Sequence, residues 1–290
     1  MKFRHDFNRS CLDHIKPVFP PSGELVDYFQ CLDCGLIFTV FFDHMNAAEM
    51  ARRIYNDDYV LVDPEFESTR PRFFARLLDC IEPGTRGQIR LLDFGGGRGG
   101  LARLLHGSGF ACLDSYDPFF GETALPARLY DLITAFEVFE HADDPIGTAS
   151  MASSLLAPSG LILFSTHLQP ATGVETWWYI APRNGHISIH TRRSLLAIAR
   201  RLHLGYLPID DGLHAFYREP IGPAAAAAAG PLLATRLHAA SLEGPRAYFR
   251  TVSGLLRLGR VRAALRPRHA IRMLAAVAGY HAAAAGSSEC

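Results

Sequence analysis

Between residues 46 and 220 the chain alternates short continuous apolar runs with longer amphipathic stretches. Short runs bounded by turn residues suit strands buried on both faces, and apolar positions three and four apart suit helices. Asn46–Tyr59 reads as a helix running into an aromatic and acidic loop, and Thr69–Cys80 as a helix with Phe73, Phe74, Leu77 and Leu78 on its apolar side. Ile89, Leu91 and Leu92, ending on Asp93, predict the first strand of a sheet. Glycines follow at 95, 96, 97, 99 and 100, and Leu101, Leu104 and Leu105 open the next helix. Ala111–Asp117, Leu132–Phe136 and Leu161–Ser165 predict further strands, and Leu204–Pro208 with Leu213–Tyr217 an antiparallel hairpin. Asp143-Asp144-Pro145 marks a helix start, with acids and proline where the dipole and the first helical position favour them. Asp117 and Asp131 are only fourteen residues apart, too few for a full helix and strand, so a turn and an irregular sheet edge are expected there. Strands alternating with helices predict a doubly wound α/β sheet.

Strand, tight glycine loop and helix start, in that order, describe a cofactor site. Backbone N–H groups at a helix start lack partners, and glycines let a ligand approach them. Two cofactor classes fit this loop. Gly95, Gly97 and Gly100 satisfy the dinucleotide pattern G-x-G-x-x-G, with Asp117 near where a ribose-binding acid belongs. Read from Asp93, the same stretch is D-x-G-x-G-x-G.

Three later blocks separate the two: Tyr130–Pro145 (YDLITAFEVFEHADDP), Gly160–Thr166 (GLILFST) and Trp177–Leu195 (WWYIAPRNGHISIHTRRSL). Together with the loop they resemble the class I S-adenosylmethionine (SAM) dependent methyltransferases, in particular a bacterial group that often carries an amino-terminal cysteine knuckle. The resemblance covers roughly residues 50–218. It implies a Rossmann-like sheet of seven strands with SAM beside Asp93, Gly95, Gly97 and Gly99. Asp117 would accept the ribose hydroxyls, Asp114 lying within its strand; Phe136 and Glu137 would line the adenosine or methionine side. Tyr59, with Tyr55, would come from a lid segment over the cofactor.

Glu137, Glu140, His141 and His186 form the constellation of chemical interest. In small-RNA 2′-O-methyltransferases and ubiquinone-pathway O-methyltransferases, E-x-x-E-H with a later histidine can hold a divalent ion that lowers the pKa of an acceptor hydroxyl. In relatives without metal the histidine orients the loop or acts as a base. His141, His186 and Glu137 are therefore the expected catalytic residues, with magnesium or manganese at the four positions as one reading and a metal-free base as another. Trp177, Trp178 and Tyr179 either wall a substrate pocket or pack beneath the sixth strand.

In front of this domain, Cys31-Leu-Asp-Cys34-Gly resembles a zinc knuckle, and Cys11 and His14 supply a second pair, C-x2-H-x16-C-x2-C in all. A structural zinc needs about four ligands, so Cys11, His14, Cys31 and Cys34 are its expected set. No thioredoxin-like strand and helix follow Cys34, which argues against a redox C-x-x-C. Behind the domain, Gly and Pro punctuate an alanine-rich tail into helices at about 231–243, 245–266 and 268–284. The expected organisation is a knuckle module at 1–45, a methyltransferase domain at 46–220 and a helical extension at 221–290.

Composition changes this picture little. The 290 residues are 49% hydrophobic, 20% charged and neutral overall, as in an ordinary globular chain. No run approaches the ~20 apolar residues of a membrane span, and MKFRHDFNRS lacks a signal-peptide core, so no membrane partner and a cytoplasmic location are expected. The neutral whole argues against a general nucleic-acid binder. It hides a tail, residues 222–290, with nine Arg, no Lys and two Glu. Arg246, Arg250, Arg257 and Arg260 fall on one side of a helical wheel, which reads as a solvated face, with a homodimer contact or an anionic-substrate surface as alternatives. The sequence therefore points to methyl transfer from SAM to a small-molecule acceptor, with the acceptor atom (O, N or C) open. An RNA ribose 2′-O-methyltransferase and a non-catalytic module on the same fold are the rival readings.

Overall fold

The computed structural model describes residues 2–120 and 124–219. The expected tail helices and their arginine stripe lie outside the described residues. Three strands come first: β1 (Lys2–Asp6), β2 (Leu25–Gln30) and β3 (Ile37–Phe38). Helices α1 (Ala47–Arg53), α2 (Tyr59–Val62), α3 (Thr69–Leu78) and α4 (Pro83–Arg86) follow. The α/β part runs β4 (Arg90–Phe94), α5 (Gly100–Leu105), β5 (Cys112–Tyr116), β6 (Tyr130–Phe136), α6 (Pro145–Ser154) and β7 (Leu156–Ser165). It closes with β8 (Ser188–Ile189), α7 (Arg192–Arg201), β9 (Gly205–Pro208) and β10 (Leu213–Tyr217).

The main sheet has the order β5-β4-β6-β7-β10-β9. β5, β4, β6 and β7 are parallel, and β10 runs antiparallel between β7 and β9. Among the described residues this is six strands, one fewer than the expected seven. The strand that would flank β5 has no room in the short stretch between Asp117 and Asp131, so β5 ends the sheet.

Side chains alternate across the parallel strands, and both faces are covered. Leu91, Leu132, Leu161 and Leu163 pack with Phe74, Leu78, Leu101 and Leu105 from α3 and α5 on one side. Leu92, Ile133, Ile162 and Phe164 pack with Ala149, Ala152, Leu195 and Ile198 from α6 and α7 on the other. Helix starts follow their local chemistry: Asn46 and Asp144 each accept a backbone N–H three residues on, and Thr191 with Ser194 closes a capping box on α7.

The amino-terminal segment does not stand apart as a module. Its antiparallel sheet, β1-β2-β3-β8, takes its last strand from residues 188–189, where Ile37 pairs with Ile189 and Phe38 with Ser188. Val26, Tyr28, Ile37 and Phe42 share one buried cluster with Ile54, Tyr59, Tyr179 and Ile187. A stretch this short has too little apolar surface for a core of its own, so it shares one with the segments before β4 and between β7 and α7. No helix among the described residues is long and apolar enough to cross a membrane.

Candidate active site

β4 ends on Asp93 and Phe94, and the chain then turns through glycines with left-handed backbone, φ +76° at Gly95 and +55° at Gly97. A side chain at Gly95 would also sit 2.4 Å from Val138 Cγ2, so this position accepts only glycine. The N–H groups of Gly95 and Gly96 donate to the Tyr116 carbonyl at 2.8 and 3.1 Å, and that of Gly97 donates to Asp117 Oδ2 at 2.8 Å. The loop thus uses these donors to fasten itself to the exit of β5 rather than presenting them to a ligand. It weakens the dinucleotide reading, which needs these loop N–H groups for pyrophosphate.

A cavity of about 290 Å³ opens beside the loop. Asp93, Gly95, Gly97, Asp117, Phe136, Glu137, Tyr59 and His141 all line it, as do Tyr55 and Gly96. Gly99 is outside the lining and caps α5 instead, and His186 is also outside it. Sequence reasoning missed Phe66 and Arg70 on the α2–α3 side, Phe119 and Phe120 after β5, and Thr148 and Met151 on α6. Phe119 and Phe120 directly follow Asp117-Pro118, so their place after a strand exit was a usable signal. Arg70 had none, because its role depends on distant carboxylates.

Asp93 is 4% exposed; Thr134 donates to its Oδ1 at 3.1 Å, while Oδ2 has no hydrogen-bond partner among the described residues. Burial, with the nearby Asp117 charge, pushes this carboxyl up to about 7 against the Thr134 bond. Asp117 is also buried, and besides Gly97 it accepts the N–H groups of Phe119 at 2.8 Å and Phe120 at 3.1 Å. Burial raises its pKa, with those backbone donors opposing.

β6 delivers the second half of the site. Glu137 has φ +56°, rare for a side-chain-bearing residue, and this turns the chain sharply at the strand exit. Its N–H donates to Ser165 Oγ at 2.9 Å, and the Ser165 hydroxyl donates back to Oε1 at 2.6 Å. Burial alone would raise the Glu137 pKa, but Arg70, His167 and the Ser165 hydroxyl outweigh it and hold the carboxyl at about 2. Arg70 is itself forked onto Asp63, Nη1 to Oδ2 at 2.7 Å and Nη2 to Oδ1 at 2.9 Å.

A 3-10 turn at Phe139–His141 then places Glu140 and His141. Their ligand atoms and those of His186 all lie within 4.8 Å of one another, and both imidazoles are oriented by backbone. His141 Nδ1 is 3.0 Å from the Gly185 carbonyl and His186 Nδ1 is 2.7 Å from the Tyr179 carbonyl. A carbonyl only accepts, so both Nδ1 atoms carry the proton and both Nε2 atoms keep a lone pair. Burial holds both rings neutral, His186 down to about 3 with help from His141. Glu140 is fully buried; Tyr179 donates to its Oε1 at 2.7 Å, and Oε2 has no partner among the described residues. Burial and the Glu137 charge push the Glu140 pKa well up. Glu137, the fourth residue of the expected set, is turned instead toward Ser165 and Arg70.

Trp177 and Trp178 do not line the cavity; they pack on the amino-terminal cluster, and Tyr179 is 1% exposed within it. The expected zinc set does not assemble, since among the described residues only Glu140, His141 and His186 converge as three or more ligands. Cys31 and Cys34 share the turn between β2 and β3, whereas Cys11 Sγ lies 3.9 Å from His186 Nδ1 and the His14 ring donates to the Cys11 carbonyl at 2.7 Å. The segment after β1 is drawn inward because the Cys11 N–H bonds Asn184 and Arg183 N–H bonds the Arg9 carbonyl, which parts the first pair from the second. The two expected pairs therefore lie apart among the described residues.

Residues 66–205 match a family model described as a methyltransferase domain. Among curated proteins, the ubiquinone biosynthesis O-methyltransferase of Histophilus somni (strain 2336) is 42% identical over 45 residues, 16% of this chain. The match spans 19% of that relative's own length. Similar solved structures include the mitomycin 7-O-methyltransferase MmcR, with 13% identity, TM-score 0.43, and coverage of 60% of this chain and 61% of that one. An O-methyltransferase family protein from Burkholderia thailandensis has 14% identity and TM-score 0.40, covering 55% and 58%.

Proposed function

We propose that this chain, whose residues 66–205 belong to a methyltransferase-domain family, moves a methyl group from SAM to an acidic hydroxyl of a small-molecule acceptor. One observation carries the reading: a cavity bordered by Asp93, Asp117, Glu137 and His141 has, converging on His141 from behind its lining, His186 with a free Nε2 and a buried Glu140 oxygen without a partner among the described residues. Bound there, SAM would supply an electrophilic methyl on a sulfonium. The unpartnered Asp93 Oδ2 fits a cationic or hydroxyl-bearing part of such a ligand, and Asp117 fits its ribose. Phe66, Phe119 and Phe120 keep the pocket apolar, so the few charges in it act over short distances with little screening.

The remaining need is to take a proton from the acceptor while holding it in line, and position supplies much of the rate. The donor set Glu140, His141 and His186 fits a hard-to-intermediate divalent cation such as magnesium or manganese, which when bound would lower the pKa of an acceptor hydroxyl. Glu137 adds negative charge nearby without being a ligand. A metal-free version of the same geometry uses His141 alone: it lines the cavity, its Nδ1–H is fixed on Gly185, and Nε2 accepts the proton.

The test combines calorimetry with SAM and product analysis against a panel of hydroxylated small molecules. Wild-type protein is expected to bind SAM. His141→Ala and His186→Ala are expected to lose ~100-fold or more in transfer while SAM affinity stays within a factor of a few. Loss of activity on chelation, restored by magnesium or manganese, supports the metal; indifference to chelator with a rate rising through one ionisation supports His141 as base. Absence of SAM binding, or two alanine variants that turn over like wild type, defeats the proposal.

A further inference from the structure

Two of the three convergent ligands hang from one residue that does not touch the cavity. Tyr179 is 1% exposed, and its hydroxyl donates to Glu140 Oε1 at 2.7 Å. That hydroxyl receives the His167 N–H at 3.3 Å, which leaves its own proton to Glu140 and fixes the direction of the bond. The carbonyl of the same residue accepts the Nδ1–H of His186 at 2.7 Å, and its ring packs against the His186 ring with centroids 4.3 Å apart. Tyr179 therefore restrains one oxygen of Glu140 and the tautomer, tilt and rotation of His186 together. The backbone around it is tied to the same elements: Ile187 N–H donates to the Glu140 carbonyl at 2.7 Å, and Tyr28, from β2, donates to the His186 carbonyl at 2.8 Å.

We infer that Tyr179 is the positioning residue of a divalent-cation site at Glu140, His141 and His186, holding a carboxylate oxygen and an imidazole nitrogen in register before any ion arrives. The inference rests on the metal reading above. Its physical basis is that groups which orient ligands through their second atoms are part of a site's affinity, and losing one costs ~10–100-fold. A glutamate freed at Oε1 can rotate about its terminal bonds, and each ion bound must then restrict that motion again.

The probe is manganese alone, titrated into the full chain and followed by electron paramagnetic resonance. Tyr179→Phe keeps the ring, its packing and the carbonyl, and removes only the hydroxyl. It is expected to bind Mn²⁺ ~10–100-fold more weakly than wild type, with SAM affinity within twofold. Wild-type binding of Mn²⁺ with Tyr179→Phe within twofold of it overturns this inference alone. No Mn²⁺ binding by the wild type overturns the metal reading and the inference with it. Should the variant not fold, nitrogen-15 spectra of wild-type His186 decide the matter: an Nδ1–H tautomer supports the inference, and an Nε2–H tautomer overturns it.

Discussion

Arg70→Met tests how charge is balanced in the site. The side chain is forked onto Asp63 by two bonds of 2.7 and 2.9 Å and is the strongest of the neighbours that lower the Glu137 pKa. Methionine keeps most of the stem's volume and removes the charge, leaving the 8%-exposed Asp63 and the half-buried Glu137 without their cation. Breaking a buried pair from one side costs about 3–5 kcal/mol. Arg70 also acts on Glu137, where with His167 and the Ser165 hydroxyl it outweighs burial and holds the carboxyl at about 2.

The sign follows from the depressed carboxyl. Its contribution is full above pH 4.5 and is lost as pH falls toward 2. Urea unfolding at pH 7 is expected to show Arg70→Met about 3 kcal/mol less stable, with Tm lower by roughly 6–12 °C. The gap should narrow as the medium is acidified below pH 4.5. In a double-mutant cycle, Asp63→Asn should be much less harmful in the Arg70→Met background than in wild type. A gap under about 1 kcal/mol at pH 7, one that does not shrink in acid, or additive single effects would each refute the reasoning.

Two further outcomes follow from the same geometry. Asp117→Ala removes the acceptor of three backbone N–H groups and the acid placed for the ribose, and SAM binding should weaken by about 1.5–3 kcal/mol in calorimetry. Unchanged affinity would place the ribose acid elsewhere. Burial holds His186 at about 3 and His190 and His214 at about 4, each below an ordinary 6.5. The unfolded chain takes up protons that these sites refuse, so their contribution is full above pH 6.5 and is lost as pH falls toward 4. Because the raised Asp93 and Glu140 carboxyls act in the opposite sense on unfolding, the check is each ring's own titration by NMR, and protonation of these rings near 6.5 would contradict the buried neutral assignment.

The sequence by itself determined the elements whose signals are local. The apolar run into Asp93, the glycines behind it and the leucines after them marked β4, the loop and α5. Gly95 is legible because a left-handed residue packed against Val138 admits nothing larger, and the hairpin at β9 and β10 because its alternation is short-range. Asp93, Asp117, Glu137 and His141 line the cavity because each stands at or just past a strand exit, where an open α/β sheet gathers its side chains, and that placement was legible in the sequence.

Tertiary structure decided what depends on pairs far apart in the chain. Asp63, Arg70 and Glu137 form one charge cluster only because α3 packs beside the exit of β6. Tyr179 reads in sequence as a loop aromatic, and its meaning arises when its hydroxyl meets Glu140, 39 positions earlier. Cys11 and His14 have knuckle spacing to Cys31 and Cys34, but spacing fixes only how far apart residues can be, not where their side chains are drawn. Hydrogen bonds from Arg9 and Cys11 to the 176–184 segment draw Cys11 toward His186 while His14 stays exposed, and the convergent ligand set is Glu140, His141 and His186.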